Sequence, residues 1–196
     1  MKFTRIPTTT FQNLQMNAGV IATNFTPGTG TLDEADILGA TTGGLTVTCV
    51  PEYADMGEDI DNCPKNTKEL KKITGYTVTV SGTLVTVTEA AAKKLIGAAT
   101  VTSGKITPDM DLDATASTGD FGDIWVVGDY SDKNGATNGG YVACHVINAL
   151  STGGFSLVTS DGEKGQFAFE FTGHTSINEQ GTVPFEFYVK AGTAEL

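Results

Sequence analysis

The sequence predicts a mainly β fold: a two-sheet antiparallel sandwich or barrel with one flanking α-helix. Three observations predict it. Of 196 residues, 31 are Thr and 24 are Gly, a pairing of a β-branched strand former with the residue that supplies positive φ in turns. Apolar residues alternate with polar ones in several separate segments, the period of a half-buried strand. Only one segment, 89–97, carries a helical pattern.

Residues 1–13 are polar and threonine-rich and read as an arm. Leu14, Met16, Ala18 and Val20 alternate and predict a first strand over 14–21. Residues 22–42, with Pro27, Gly28, Gly30 and the acids Asp33, Glu34 and Asp36, predict a loop. In 44–50, Leu45, Val47 and Cys49 face one way and Thr46 and Thr48 the other. Residues 51–72 lack apolar periodicity and predict a long loop outside the core. Tyr76, Val78 and Val80 share a face opposite Thr77 and Thr79, and the parity flips to Val85 and Val87 after Gly82, which calls for a turn or bulge there. In the helix, Thr88 caps the start, Glu89 suits the positive N-terminus and Gly97 ends it. Residues 102–122 predict a polar loop.

The second half reads as strands. Ile124–Val127 is continuously apolar, as for a strand covered on both faces. Asn134-Gly135 and Asn138-Gly139 mark turns before a strand over Tyr141–Leu150, and Phe155–Thr159 is a short strand before a turn at Asp161-Gly162. Phe167, Phe169 and Phe171 share one face, as do Phe185, Phe187 and Val189. These phenylalanines are the predicted core, with Glu170 and Glu186 pointing out. One domain over residues 1–196 is expected, with the arm 1–13 and the loop 51–72 as its appendages.

Twelve Lys and Arg against 23 Asp and Glu give a net charge of −11, which argues against a groove that grips nucleic acid through clustered cations. No apolar run reaches the length of a membrane span, and the N-terminus lacks a secretory pattern. Cys49, Cys63 and Cys144 are odd in number and widely spaced, so unpaired thiols and a reducing compartment are expected. Catalysis is not. Of the two histidines, His145 neighbours Cys144 but adjacent strand residues face opposite ways, and His174 stands near a strand end. Asp109, Asp111, Asp113 and Asp120 imitate a calcium loop, but Ala114 stands where glycine is required and the bidentate Glu is missing. No catalytic residue, metal or cofactor is expected, and Trp125 reads as core.

What remains is surface. The segment 51–72 is acidic first (Glu52, Asp55, Glu58, Asp59, Asp61) and basic second (Lys65, Lys68, Lys71, Lys72). Thr46, Thr48, Thr77 and Thr79 make polar, uncharged strand faces. Two long loops outside the core together with such faces point to self-assembly.

The chain resembles the major tail tube proteins of long, non-contractile-tailed bacteriophages, especially those of Gram-positive hosts or their prophages. The resemblance lies in Gly57–Leu70, in Asp123-Ile124-Trp125 with Val127–Gly135, and in Asn148–Phe155, Lys164–Glu170 and Val183–Glu186. It implies two packed β-sheets with a flanking helix, and hexameric rings stacked into a tube whose lumen passes double-stranded DNA without specific binding. It implies that residues 51–72 reach the next ring, and that the tape-measure, tail terminator and tail tip proteins are partners. It places the protein in the virion tail, assembled in the host cytoplasm, with no membrane contact. Under this reading the Thr-faced strands line the lumen and the acidic balance keeps DNA phosphates from sticking. The alternatives are a contractile-tail or type VI-like tube subunit, and an adhesin-like β-sandwich that binds surfaces.

Overall fold

The computed structural model describes residues 14–15, 17–115, 119–129 and 140–190. The arm 1–13 and the turns at Asn134-Gly135 and Asn138-Gly139 lie outside them. The elements are β1 (Val20–Ala22), β2 (Ile37–Gly39), β3 (Thr41–Asp55), β4 (Lys71–Leu84), α1 (Glu89–Ile96), β5 (Ala99–Thr102), β6 (Lys105–Pro108), β7 (Gly122–Asp129), β8 (Tyr141–Ser151), β9 (Ser156–Val158), β10 (Gln166–Thr172) and β11 (Phe185–Lys190). The fold is mainly β, as expected. All strand pairs are antiparallel.

A first layer runs β2-β1-β7-β8-β11 and a second runs β3-β4-β10-β9. They are joined because β8 belongs to both. Through Val146 it pairs with β11, and at Leu150 and Ser151 it pairs with β10. The corner between is Asn148, at φ 49°, a left-handed conformation that Asn tolerates better than most residues. Its amide donates to the Asp123 carboxylate at 3.2 Å, and its side chain donates to the His174 carbonyl at 3.2 Å. These bonds hold a strand that switches layers.

The core lies between the layers. Cross-strand rows from the second layer supply Val47–Val80–Phe171 and Leu45–Gly82–Phe169. The first layer supplies Ile124–Val146–Phe185 and Ile21–Val126–Cys144–Phe187. Helix α1 closes one end with Ala91 and Leu95. Its start is capped by the Thr88 hydroxyl, which accepts from the Ala91 amide at 3.1 Å, and Gly97 ends it at φ 90°. A smaller cluster covers the outer face of the first layer. There Phe25, from the loop after β1, packs on Trp125 and Ala143, and the Tyr141 hydroxyl donates to the Pro27 carbonyl.

Several expectations are corrected. The first strand is β1 alone: Gly19, at φ 76°, breaks the preceding segment, and Leu14 is exposed. The stretch 22–42 is not all loop, since Ile37–Gly39 pairs with β1. No turn occurs at Gly82. Strand β4 runs through it, with Gly82 paired to Leu45 on one side and Phe169 on the other; a Cβ there would lie 2.7 Å from Leu45 and 2.9 Å from the Phe169 ring, so glycine makes room for the aromatic. The irregularity falls on the opposite strand, between Thr42 and Leu45, where Gly43 and Gly44 both have positive φ. The polar stretch 102–122 begins inside the β5–β6 hairpin, which turns at Ser103 and Gly104 with φ of 50° and 79°. Among the predicted core phenylalanines, Phe169 and Phe171 are buried and Phe167 and Phe185 pack against that core. Phe187 does not belong with them. It shares the inward-facing row of Val126 and Cys144, but it remains 56% exposed.

Candidate assembly surfaces

The segment 51–72 is a hairpin arm rather than a loop. Strand β3 continues to Asp55 and β4 begins at Lys71, and beyond Val78 no strand among the described residues other than β3 pairs with β4. The arm therefore projects past β10. Only 56–70 is loop, and it folds on itself. The Met56 amide donates to the Leu70 carbonyl at 3.0 Å. Gly57 is packed so closely that a Cβ would lie 2.6 Å from Leu70 and 3.0 Å from the Cys63 sulfur. Asn62 and Asn66 take positive φ, and the Thr67 hydroxyl donates to the Pro64 carbonyl at 2.7 Å.

The arm's charges divide into two groups. Asp55 pairs with Lys71 at 3.1 Å, and the bond from the Gly57 amide, followed by Lys71, holds its carboxyl below the ordinary range. Glu52 accepts from the Thr77 hydroxyl at 2.7 Å. Glu58, Asp59, Asp61, Lys65, Lys68 and Lys72 are exposed at or near the tip, with Lys68 also 3.4 Å from Glu69. Met56 and Ile60, both more than half exposed, stand among them.

The four threonines share one surface. Rows of the outer face of the second layer read Thr46–Ser81–Glu170 and Thr48–Thr79–Thr172, followed by Val50–Thr77 and Glu52–Gly75. The Thr48 and Thr79 hydroxyls are 2.6 Å apart, and those of Thr152 and Thr172 are 2.8 Å apart. In these rows the only ionisable groups are Glu52 and Glu170, so the wall is hydroxyl-rich with sparse acids.

A titratable cluster lies on the outer face of the first layer, in the row Ala22–Trp125–His145–Glu186. The His145 ring stacks on Trp125 at 3.9 Å and 6°. Its Nδ1 is 3.0 Å from Glu186. Its Nε2 is 3.0 Å from Asp123, a charge contact whose angle falls short of a hydrogen bond. The Tyr188 hydroxyl also donates to Glu186, at 2.6 Å. Burial alone would lower the His145 pKa, but the two carboxylates outweigh it and raise it. Asp123 and Glu186 are lowered, chiefly by His145. Sequence reading missed this cluster because Asp123, His145 and Glu186 become neighbours only through the register of three strands.

Cys144 faces the opposite way from His145, into the space between layers, where burial raises its thiol pKa. All three cysteines are free. Among the described residues no group of three His, Cys, Asp or Glu is placed to hold a metal ion, and no helix is long and apolar enough to cross a membrane. Asp113 and Asp120 each bond backbone within their own loop.

No family model matches the sequence, and no curated protein matches it. Among solved structures the chain is similar to one described as the virion of a native gene transfer agent particle, at 9% identity and a TM-score of 0.43, over 89% of this chain and 96% of that one.

Proposed function

We propose that this chain is a structural, non-enzymatic subunit of a bacteriophage tail tube, forming hexameric rings that stack around a lumen for double-stranded DNA. The observation that carries this reading is the second layer. Its outer face is a broad hydroxyl wall with two acids and no cations in its rows, and two of its strands extend past the body as a charged arm. A rod of phosphates moves past such a wall without finding a counterion to exchange. The arm gives each ring a means of reaching the next, and the exposed tip charges of both signs suit contact with another copy. Under this reading the tape-measure, terminator and tip proteins are partners, and the tail of the virion, assembled in the host cytoplasm, is its location. Negative-stain microscopy of the purified protein tests it. Rings or tubes are expected, and a monomer at every concentration overturns the proposal.

A further inference from the structure

A cleft of about 760 Å³ lies where the start of β7 and the corner of β8 meet the segment after β10, a size within the roughly 300–1,000 Å³ of small-molecule sites. It uses no residue of the hydroxyl wall or of the arm. Its floor is braced. The Asn148 amide donates to Asp123, the Asn148 side chain donates to the His174 carbonyl, and His174 Nδ1 stands 3.2 Å from the Asn148 carbonyl oxygen. A carbonyl oxygen only accepts, so in the neutral ring Nδ1 carries the proton and Nε2 keeps its lone pair. Phe121 packs on that imidazole edge to face, with centroids 5.2 Å apart at 81°. The brace leaves hydrogen-bonding capacity of both kinds. His174 Nε2 and the side-chain oxygens of Asn148 and Asn24 are acceptors without a partner among the described residues, and the Thr175 hydroxyl and Asn178 side-chain amide are donors without one. Apart from His174, the one titratable side chain in the lining is Asp123, and it is engaged by the Asn148 amide and by His145.

We infer that this cleft is a binding site for a neutral saccharide. The lining selects against other small ligands. A phosphate or carboxylate would meet Asp123 and no lysine or arginine. A wholly apolar ligand would cover the donors and acceptors and leave them unpaired. A nucleobase is held best on an open ring face, and Phe121 and His174, turned edge to face, offer no parallel pair to hold one. A sugar hydroxyl donates and accepts at once, so a ring of hydroxyls answers a lining that mixes both. The sugar's C–H surface has Phe121 to rest on, and Ile177, 80% exposed where it borders the cleft.

The site stands apart from the assembly role, and its test does not require rings. Saturation-transfer difference NMR on the full chain reads monomers and assemblies alike. The probes are glucose, galactose, mannose, N-acetylglucosamine, maltose and lactose, each at about 10 mM, where a site of millimolar affinity is mostly filled. Glucose 6-phosphate and adenosine are the controls. At least one neutral sugar should receive saturation, and more of it than either control. Phe121→Ala should weaken that sugar about fivefold or more, as should Asn178→Ala combined with Thr175→Ala. The latter two positions are exposed, so their loss cannot be read as a failure to fold. Saturation of no sugar overturns the proposal, as does saturation that these variants leave unchanged, or stronger binding of glucose 6-phosphate or adenosine than of every neutral sugar.

Discussion

His145 sits between two carboxylates and against an indole, and each contact favours its charged form except burial itself. A histidine raised above its ordinary value contributes stability that is complete below that value and lost as pH rises through the raised one. The lowered Asp123 and Glu186 contribute above the ordinary carboxylate range and lose it as pH falls through their lowered values. The cluster is therefore worth most between about pH 4.5 and 6.5, the ordinary values of Glu and His. His145→Gln should destabilise the chain by about 1–2 kcal/mol near pH 6, a charged hydrogen bond discounted for the exposure of Glu186. The gap to wild type should shrink as pH rises through the raised value of His145. A gap that is constant from pH 5 to 9, measured by urea unfolding, would show that only the stacking matters.

Phe169 and Phe187 test burial at the same scale. They share chemistry and an inward direction but not a covering. Phe169→Ala should cost about 3–5 kcal/mol, and Gly82→Ala about 1–3 kcal/mol through overpacking against that ring. Phe187→Ala should cost under about 1 kcal/mol in the monomer, because its ring is already half in water. Equal losses at Phe169 and Phe187 in chemical unfolding would contradict the difference in their burial.

Among the elements, the β3–β4 arm would, under the proposed function, separate folding from assembly. Its strands are held by their own ladder and its tip by the packing of Gly57 with Cys63 and Leu70. Replacing residues 56–70 with Asn-Gly, a pair suited to a tight hairpin turn, should leave the melting temperature within a few degrees and abolish stacking. Tubes of normal length from that variant would show the arm has another task. The arm also shows where sequence reading stops. The alternation of 44–50 and 75–80 was legible because one face of those strands meets the core. Residues 51–55 and 71–74 are equally strand, yet they project beyond any covering layer, so no apolar period marks them. The β5–β6 hairpin was hidden for a different reason: its strands have four residues each, so Ala99, Val101 and Ile106 alternate too briefly with Thr and Lys to mark a strand, and only Ser103-Gly104 announces its turn. For Phe187 the parity was right and the burial wrong, since parity gives the face of a strand and not what lies over it. The candidate surfaces were half legible. The threonines could be assigned to faces one strand at a time, but their union into one wall depends on the β3–β4 register, and the His145 cluster depends on three strands at once.

For the whole molecule, charge distribution is the testable property. The outer rows from Thr46–Ser81–Glu170 to Glu52–Gly75 contain two acids and no cation, and the exposed lysines of the arm begin beyond them, at Lys72 and Lys71 in the ladder and at Lys65 and Lys68 in the tip loop. If that wall faces passing DNA, adding cations to it should hinder passage without hindering assembly. Thr46→Lys with Thr48→Lys should give tubes of normal appearance, and particles carrying them should eject DNA more slowly, with the defect relieved at higher salt as phosphate contacts are screened. Unchanged ejection kinetics at low salt would remove this face from the path.

The corner at Asn148 has a mechanical meaning. Because β8 crosses from one layer to the other without a chain break, the layers share a covalent fibre, and neither can slide over its partner without dragging that fibre through its ladders. Tension applied along β8 would meet its hydrogen bonds to β7 and β11 in parallel rather than one after another, and those bonds would have to fail together. A subunit built this way is stiff along that line and yields at its edges first. If copies stack as proposed, bending would be taken up at the joints between them and leave the body of each one unchanged.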